Sequence, residues 1–255
     1  MNVEILPEFR GQGVGSLFIA EMLKRAGELG YAAVHIQTER SNRVAQRLYA
    51  KQGFLSAQIG QEMVKMMHFI NYNLLSSFKR QYPLALFSTT ALEQEAHSGQ
   101  QLAWLDPLSG DSLTLCLTGG SCQADSYGLG PGLERVHLRE GDSEVQFTFG
   151  LCEPSVQHAA TRTFEFTVHN RGTTVQNGVC RLLLNHGFAV ADGTAGSFEY
   201  QVAPGEMLPF CLEVTTTPDR NADYWHHTSY RSIPVGIELF LAGRACWLAK
   251  QVLWP

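Results

Sequence analysis

Arg10-Gly11-Gln12-Gly13-Val14-Gly15 sets three alternate glycines beside a cation, just ahead of an amphipathic stretch. Glycines at this spacing let the backbone come close to a ligand. The unpaired N–H groups at the start of a helix, with the helix dipole, then point at phosphate oxygens. The chemistry offered is anion binding, with Arg10 adding charge at the rim. A Gly-rich turn between strand and helix also serves plain packing, and both readings stand at this point. Two nucleotide signatures are excluded. No Lys-Ser or Lys-Thr pair closes the turn as in a P-loop, and the glycine spacing is wrong for G-x-G-x-x-G.

The elements that would position this turn can be read around it. Val3-Glu4-Ile5-Leu6-Pro7 is rich in strand formers and stops at a proline. From Ser16, Leu17, Ile19, Ala20, Leu23 and Ala26 recur at roughly helical spacing, with Gly30 as a C-terminal stop. Tyr31 to Gln37 then reads as a second strand, giving a β-α-β crossover. Ser41 to Phe54 reads as an N-cap at Ser41, a short helix with Val44, Ala45, Leu48 and Tyr49 inward, and Gly53 as its brake.

At this point the chain resembles the GCN5-related N-acetyltransferase (GNAT) superfamily. Pro7 to Gly15 matches that family's acetyl-CoA pyrophosphate loop, (Gln/Arg)-x-x-Gly-x-(Gly/Ala). Asn42-x-x-Ala45-x-x-x-Tyr49-x-x-x-Gly53-Phe54 matches the later helix and its Gly-Phe step into the next strand. The resemblance covers about residues 1–70, ending with a strand over Glu62 to Phe69, and corresponds to the family's C-terminal, cofactor-binding half. The family's N-terminal strands and helices, which form much of the acceptor wall and often hold the general base, precede the loop.

The resemblance implies acetyl transfer from acetyl-CoA to an amine, with acetyl-CoA as cosubstrate. It places the pyrophosphate on backbone N–H groups of Gly11, Gln12, Gly13, Val14, Gly15 and Ser16, with Arg10 alongside. Ile5 and Leu6 would hold the pantetheine arm through strand-like backbone bonds, and Asn42 would bond the pantetheine side of the cofactor. Tyr49 falls where the general acid stands, a phenol able to protonate the departing thiolate. The bland reading of Tyr49 is a core aromatic on an amphipathic helix. Glu4 lies too near the loop to be assigned as the base.

Composition bounds the rest. The chain has 255 residues, 44% hydrophobic and 17% charged, and a mean hydropathy near zero, an ordinary globular balance. No apolar run approaches a membrane span, and the first residues lack the profile of a signal peptide, so a cytoplasmic protein is expected. Residues 1–70 hold eight Lys/Arg against six Asp/Glu, and the remainder eleven against eighteen. A mildly basic first part suits a polyanionic ligand, and the acidic remainder argues against nucleic acid as a partner. All six cysteines (116, 122, 152, 180, 211 and 246) lie in the second part with no C-x-x-C pair, which disfavours disulfides and zinc. Cys180 and Cys211 sit in apolar, strand-like runs and read as buried thiols.

Residues 71–100 read as a connector that packs on something: a short helix over Tyr72 to Arg80, a strand over Leu84 to Phe87, and a helical turn over Ala91 to Ala96. Residues 101–255 read as about nine short strands. They are 112–117, 135–138, 144–149, 163–169, 179–184, 197–202, 207–214, 235–241 and 246–253, with a hairpin at Glu140-Gly141-Asp142. The expected fold class is α+β, a partial GNAT-like α/β unit followed by an all-β, immunoglobulin-like sandwich. The likeness to such adhesion or accessory modules rests on turns at Asn170-Arg171-Gly172 and Ala203-Pro204-Gly205-Glu206, each read as closing a hairpin. The glycines from Gly119 to Gly132 read as a flexible connection. Tyr224-Trp225-His226-His227 reads as a packed loop, with a metal or carbohydrate platform as its sharper reading.

Three functional readings result. One is an acetyltransferase of unknown amine acceptor, its sheet completed by a homodimer or by the connector, since an open strand edge at Val3 to Leu6 must be covered. The second is a non-catalytic binding or accessory protein in which the β-rich part recognises a partner. The third is a truncated gene product of a full enzyme.

Overall fold

The computed structural model describes residues 4–29, 31, 33–59, 62–70, 73–94, 97–121, 132–152, 161–184, 188–191, 196–216, 232–241 and 244–253. The chain divides into two compact units, 1–71 and 72–255. Tyr224 to His227 and the loop 122–131 lie outside the described residues.

In the first unit a 3-10 turn, Pro7–Phe9, leads through the glycines into α1, Val14–Glu28. Then follow β1 (Ala33–Glu39), α2 (Arg43–Lys51), β2 (Leu55–Ile59) and β3 (Met63–Phe69). β3 lies between β1 and β2 and runs antiparallel to both. One face of this sheet, with Val34 and Ile36 from β1 and Val64 and Met66 from β3, packs with Ile19, Met22 and Leu23 of α1 and Tyr49 of α2. The helix face that turns inward is therefore centred on Ile19, Met22, Leu23 and Ala26, while Leu17 is 72% exposed and Val44 80% exposed. Those two apolar residues fit the helical period loosely and fall off the stripe it defines.

Glu4 to Leu6 form no strand, so the expected β-α-β crossover is absent from the described residues. Backbone groups in an extended segment need a ladder partner, and here Ile5 uses its carbonyl to accept from the Arg10 Nε–H instead.

The second unit opens with α3 (Asn73–Gln81) and continues as β4 (Leu86–Gln94), β5 (His97–Leu105), β6 (Ser112–Ser121), β7 (Gly132–Glu140) and β8 (Ser143–Leu151). β9 (Thr161–Asn170), β10 (Gln176–Leu183), β11 (Phe188–Val190), β12 (Ser197–Val202), β13 (Met207–Thr216), β14 (Ser232–Leu241) and β15 (Arg244–Leu253) complete it. The segment expected to turn helically at 91–96 extends β4 instead, because each of its residues to Gln94 finds a partner on β5. Gly141, at φ 57°, makes the two-residue hairpin turn between β7 and β8 as expected.

The expected α+β class, a partial α/β unit followed by an immunoglobulin-like sandwich, is corrected by the topology: the first sheet is antiparallel throughout and the second is no sandwich. The described strands of the second unit form one twelve-stranded antiparallel sheet that curls on itself, and the chain as a whole is mostly β. β7 has β6 on one edge and β8 on the other, and at Leu133 it is also bridged to Ala249 of β15. That bridge joins the run β15-β14-β10-β12 to the rest. Curling brings β12 over β8, β9 and β13, where the Phe147, Phe166, Phe198, Tyr200 and Phe210 rings stack or meet edge-on at 4.6–6.1 Å between centroids.

Nor do the two turns close hairpins. β9 does not pair with β10, nor β12 with β13; instead the turns hold each other. The fully buried Asn170 donates through Nδ2 to the Thr174 and Val202 carbonyls at 2.8 and 2.9 Å, and its Oδ1 accepts from Gly172 N–H at 3.1 Å. Its own N–H and C=O bond Glu206 and Gly205. Cys180 is buried, which pushes its thiol up to about 12. Cys211, expected to be buried, lies on the opposite pleat of β13 and is exposed.

Candidate functional site

The glycine turn adopts the backbone its residues dictate. Gly11 and Gly13 have φ of 78° and 82°, and Gly13 is the N-cap of α1. A side chain would strain this backbone, while open space surrounds both Cα atoms. The helix starts at Val14, two residues before the periodicity suggested, and its first intrahelical bond runs from Leu17 N–H to the Gly13 carbonyl. The N–H groups of Val14, Gly15 and Ser16 thus precede the helical ladder, the arrangement that suits an anion.

Gly15 has a different purpose. A Cβ there would stand 3.1 Å from both Ile5 Cδ1 and Leu48 Cδ2, so its small size lets α1 and α2 meet. Arg10 is anchored by its Nε at 2.9 Å from the Ile5 carbonyl and lies 3.7 Å from the Glu4 carboxylate. Gln12 Nε2 reaches back 2.7 Å to the Glu8 carbonyl. Leu6 is 57% exposed beside the turn.

Asn42, rather than Ser41, caps α2. Its Oδ1 accepts from Ala45 N–H at 3.1 Å, while Ser41 donates to Glu39. The C-terminal end of α2 is a complete Schellman motif. Phe54 N–H bonds the Tyr49 carbonyl, Gly53 N–H bonds the Ala50 carbonyl, and Gly53 takes φ 85°. The accompanying apolar contact is Tyr49 on Phe54, ring centroids 5.8 Å apart. Tyr49 is thereby fixed on the helix face at the core, one residue from Leu48 and its contact with the glycine turn.

His68 escaped the sequence reading. Its ring lies 5.3 Å from Phe54, and its Nδ1 is buried without a partner. Burial holds the imidazole below its ordinary value, against the opposing influence of the Gln52 and Gly53 backbone. The signal available was its place on β3, next to the strand that follows the Gly53-Phe54 step.

The structure therefore brings Ile5, Gly11, Gly13, Gly15, Leu48 and the Tyr49 helix into one neighbourhood, with Arg10 and Asn42 held by bonds within the chain. Among the described residues no group of His, Cys, Asp or Glu has metal-binding spacing, and no helix is long and apolar enough to cross a membrane.

Comparison with known families finds the acetyltransferase (GNAT) family model matching residues 1–54. The match spans the glycine turn, α1, β1 and α2, and ends on Phe54, so this stretch is acetyltransferase-like. No curated protein matches the chain.

Proposed function

We propose that the first unit binds acetyl-CoA through the turn Gly11 to Ser16 and transfers its acetyl group to an amine. The observation that carries this is the pairing of left-handed Gly11 and Gly13, set in open space, with the unladdered N–H groups of Val14, Gly15 and Ser16. In the reaction the amine nitrogen attacks the thioester carbonyl, the C–S bond breaks, and Tyr49 gives its phenolic proton to the leaving thiolate. The proton lost by the amine passes to a base outside the residues assigned. Arg10 sits at the rim of the pyrophosphate site, the Ile5 and Leu6 backbone flanks the pantetheine arm, and the Asn42 Nδ2 remains as a donor once its Oδ1 caps the helix. The acceptor wall lies outside the residues assigned.

One observation favours a second reading, a binding or accessory protein without catalysis. Arg10 and Asn42 already spend polar atoms on Glu4, Ile5 and Ala45. In that case the large sheet recognises a partner.

Calorimetry with acetyl-CoA separates the readings when the parent is run beside Val14→Asp. A carboxylate in the first turn favours the helix yet repels pyrophosphate, so this variant should fold as well as the parent and lose binding. Binding by the parent followed by acetylation of a panel of amines supports transfer. Binding without turnover supports the second reading, and no binding by the parent would end the first.

A further inference from the structure

We propose that the second unit self-associates through β4, two copies pairing edge to edge about a two-fold axis beside Thr90. β4 is nine residues long and, among the described residues, pairs with β5 alone. The other ends of the sheet are blunter. β11 has three residues, and β12 is six residues long with Glu199 on its exposed pleat. From Leu84 to Leu92 the sequence has neither charge nor proline, the two devices that usually keep a sheet edge from pairing.

The core side of the sheet also runs out uncovered at β4. Along one row Phe87 pairs with Trp104 and Trp104 with Leu113. Leu113 and Trp104 are 0% and 4% exposed, but Phe87 is 56% exposed. Leu86 and Leu105, directly paired on the opposite pleat, are exposed too. In a two-fold pairing centred on Thr90 the ends of these rows meet Gln94 and Glu93 of the second copy.

Register and charge identify that strand as a second copy. Two residues separate Gln94 from its partner His97, so that pair exchanges both of its hydrogen bonds. By alternation Phe87, Thr89, Ala91 and Glu93 present their N–H and C=O groups outward. Antiparallel pairing over the full length of β4 sets Thr89 against the second copy's Ala91, Phe87 against its Glu93, and Thr90 against Thr90. The Phe87 end carries a cation, Lys79, 5.1 Å over the Trp104 ring that pairs with Phe87. The two-fold therefore brings Lys79 of each copy towards the Glu93 end of the other, while the middle of the strand carries no like charges to repel. Such an isologous contact closes on itself and does not propagate.

Thr90 pairs with itself at a non-hydrogen-bonded position, where Cα atoms lie about 4.5 Å apart, within disulfide reach. Under mild oxidation Thr90→Cys should give a disulfide-linked dimer that the parent does not. Thr89→Pro removes an outward N–H while sparing the β5 ladder, and should weaken self-association at least roughly tenfold in sedimentation. A parent that stays monomeric at micromolar concentration and above overturns the proposal. So does a dimer that Thr90→Cys fails to cross-link or that Thr89→Pro leaves unchanged, since its interface then lies elsewhere. Circular dichroism on both variants shows that they are folded.

Discussion

A Cβ on Gly15 would stand 3.1 Å from the Leu48 Cδ2 atom, so the turn that opens α1 and the helix that carries Tyr49 touch through a single missing methyl group. The contact couples the backbone of the glycine turn to the aromatic side chain one residue further along α2. Gly15→Ala gains about 1 kcal/mol of helix propensity. It also overpacks Ile5 and Leu48, an effect of about 1–3 kcal/mol. Both neighbours meet it with the ends of their side chains and can shift, so the net loss should be about 1 kcal/mol in urea melts. Affinity for acetyl-CoA should fall as α1 is pushed off α2.

Tyr49→Phe tests the proposed proton donor without disturbing the packing, since the ring keeps its contact with Phe54. Acetyl transfer should drop about 10²–10⁴-fold while acetyl-CoA affinity and melting temperature stay near those of the parent. An unchanged rate in stopped-time acetylation assays would return Tyr49 to the role of a core aromatic.

Asn170→Ala addresses the junction of the two turns. It strips donors from the Thr174 and Val202 carbonyls and the acceptor from Gly172 N–H, all around a fully buried position. The second unit should lose about 3 kcal/mol or more, because buried groups left without partners cost about 1–3 kcal/mol each. Chemical denaturation followed by tryptophan fluorescence reads this directly, since all four Trp residues lie beyond residue 71.

Acid should weaken the two units in different ranges. His68 is held below its ordinary 6.5, so the unfolded chain takes up the proton first. Its contribution is intact above pH 6.5 and is lost as pH falls from there through the folded value. Asp111 behaves likewise at lower pH. Burial alone would raise it, but bonds from Gly141 N–H, Tyr82 and Ser109 and the Arg139 charge together hold it below its ordinary 3.8. The second unit therefore keeps that contribution down to about pH 3.8 and loses it below. Amide exchange across a pH series should show the first unit loosening earlier, with His68→Gln flattening its slope between pH 7 and about pH 5.

The glycine turn, α1, α2 and its Gly53 brake were legible because short-range chemistry dictates them: positive φ at glycine, side-chain capping and a helical stripe. The expected strands of the second unit formed for a similar reason, their alternation being strong. What local pattern does not encode is which edges meet. Nothing in Leu133 or Ala249 announces the bridge that turns two runs into one sheet, and Asn170 looks like a hairpin turn residue until Val202 comes within 2.9 Å of its amide. Glu4 to Leu6 failed as a strand on the same ground, for want of a ladder partner. At the site, Asn42 was placed by family likeness while its cap bond was local, and His68 was missed because its neighbours Gly53 and Phe54 come from a different strand's lead-in.

The Asn73 side chain accepts a hydrogen bond from Ala245 N–H at 2.5 Å, joining the start of α3 to the start of β15. On a ribosome these two residues emerge roughly ten to thirty seconds apart, at about 5–20 residues per second. Throughout that interval α3 waits with its partner surface unmade, and the Leu133 end of β7 waits for the later part of it. A nascent chain of this kind has reason to meet a holding chaperone, and a stop codon ahead of residue 244 would release a product in which the curl never closes.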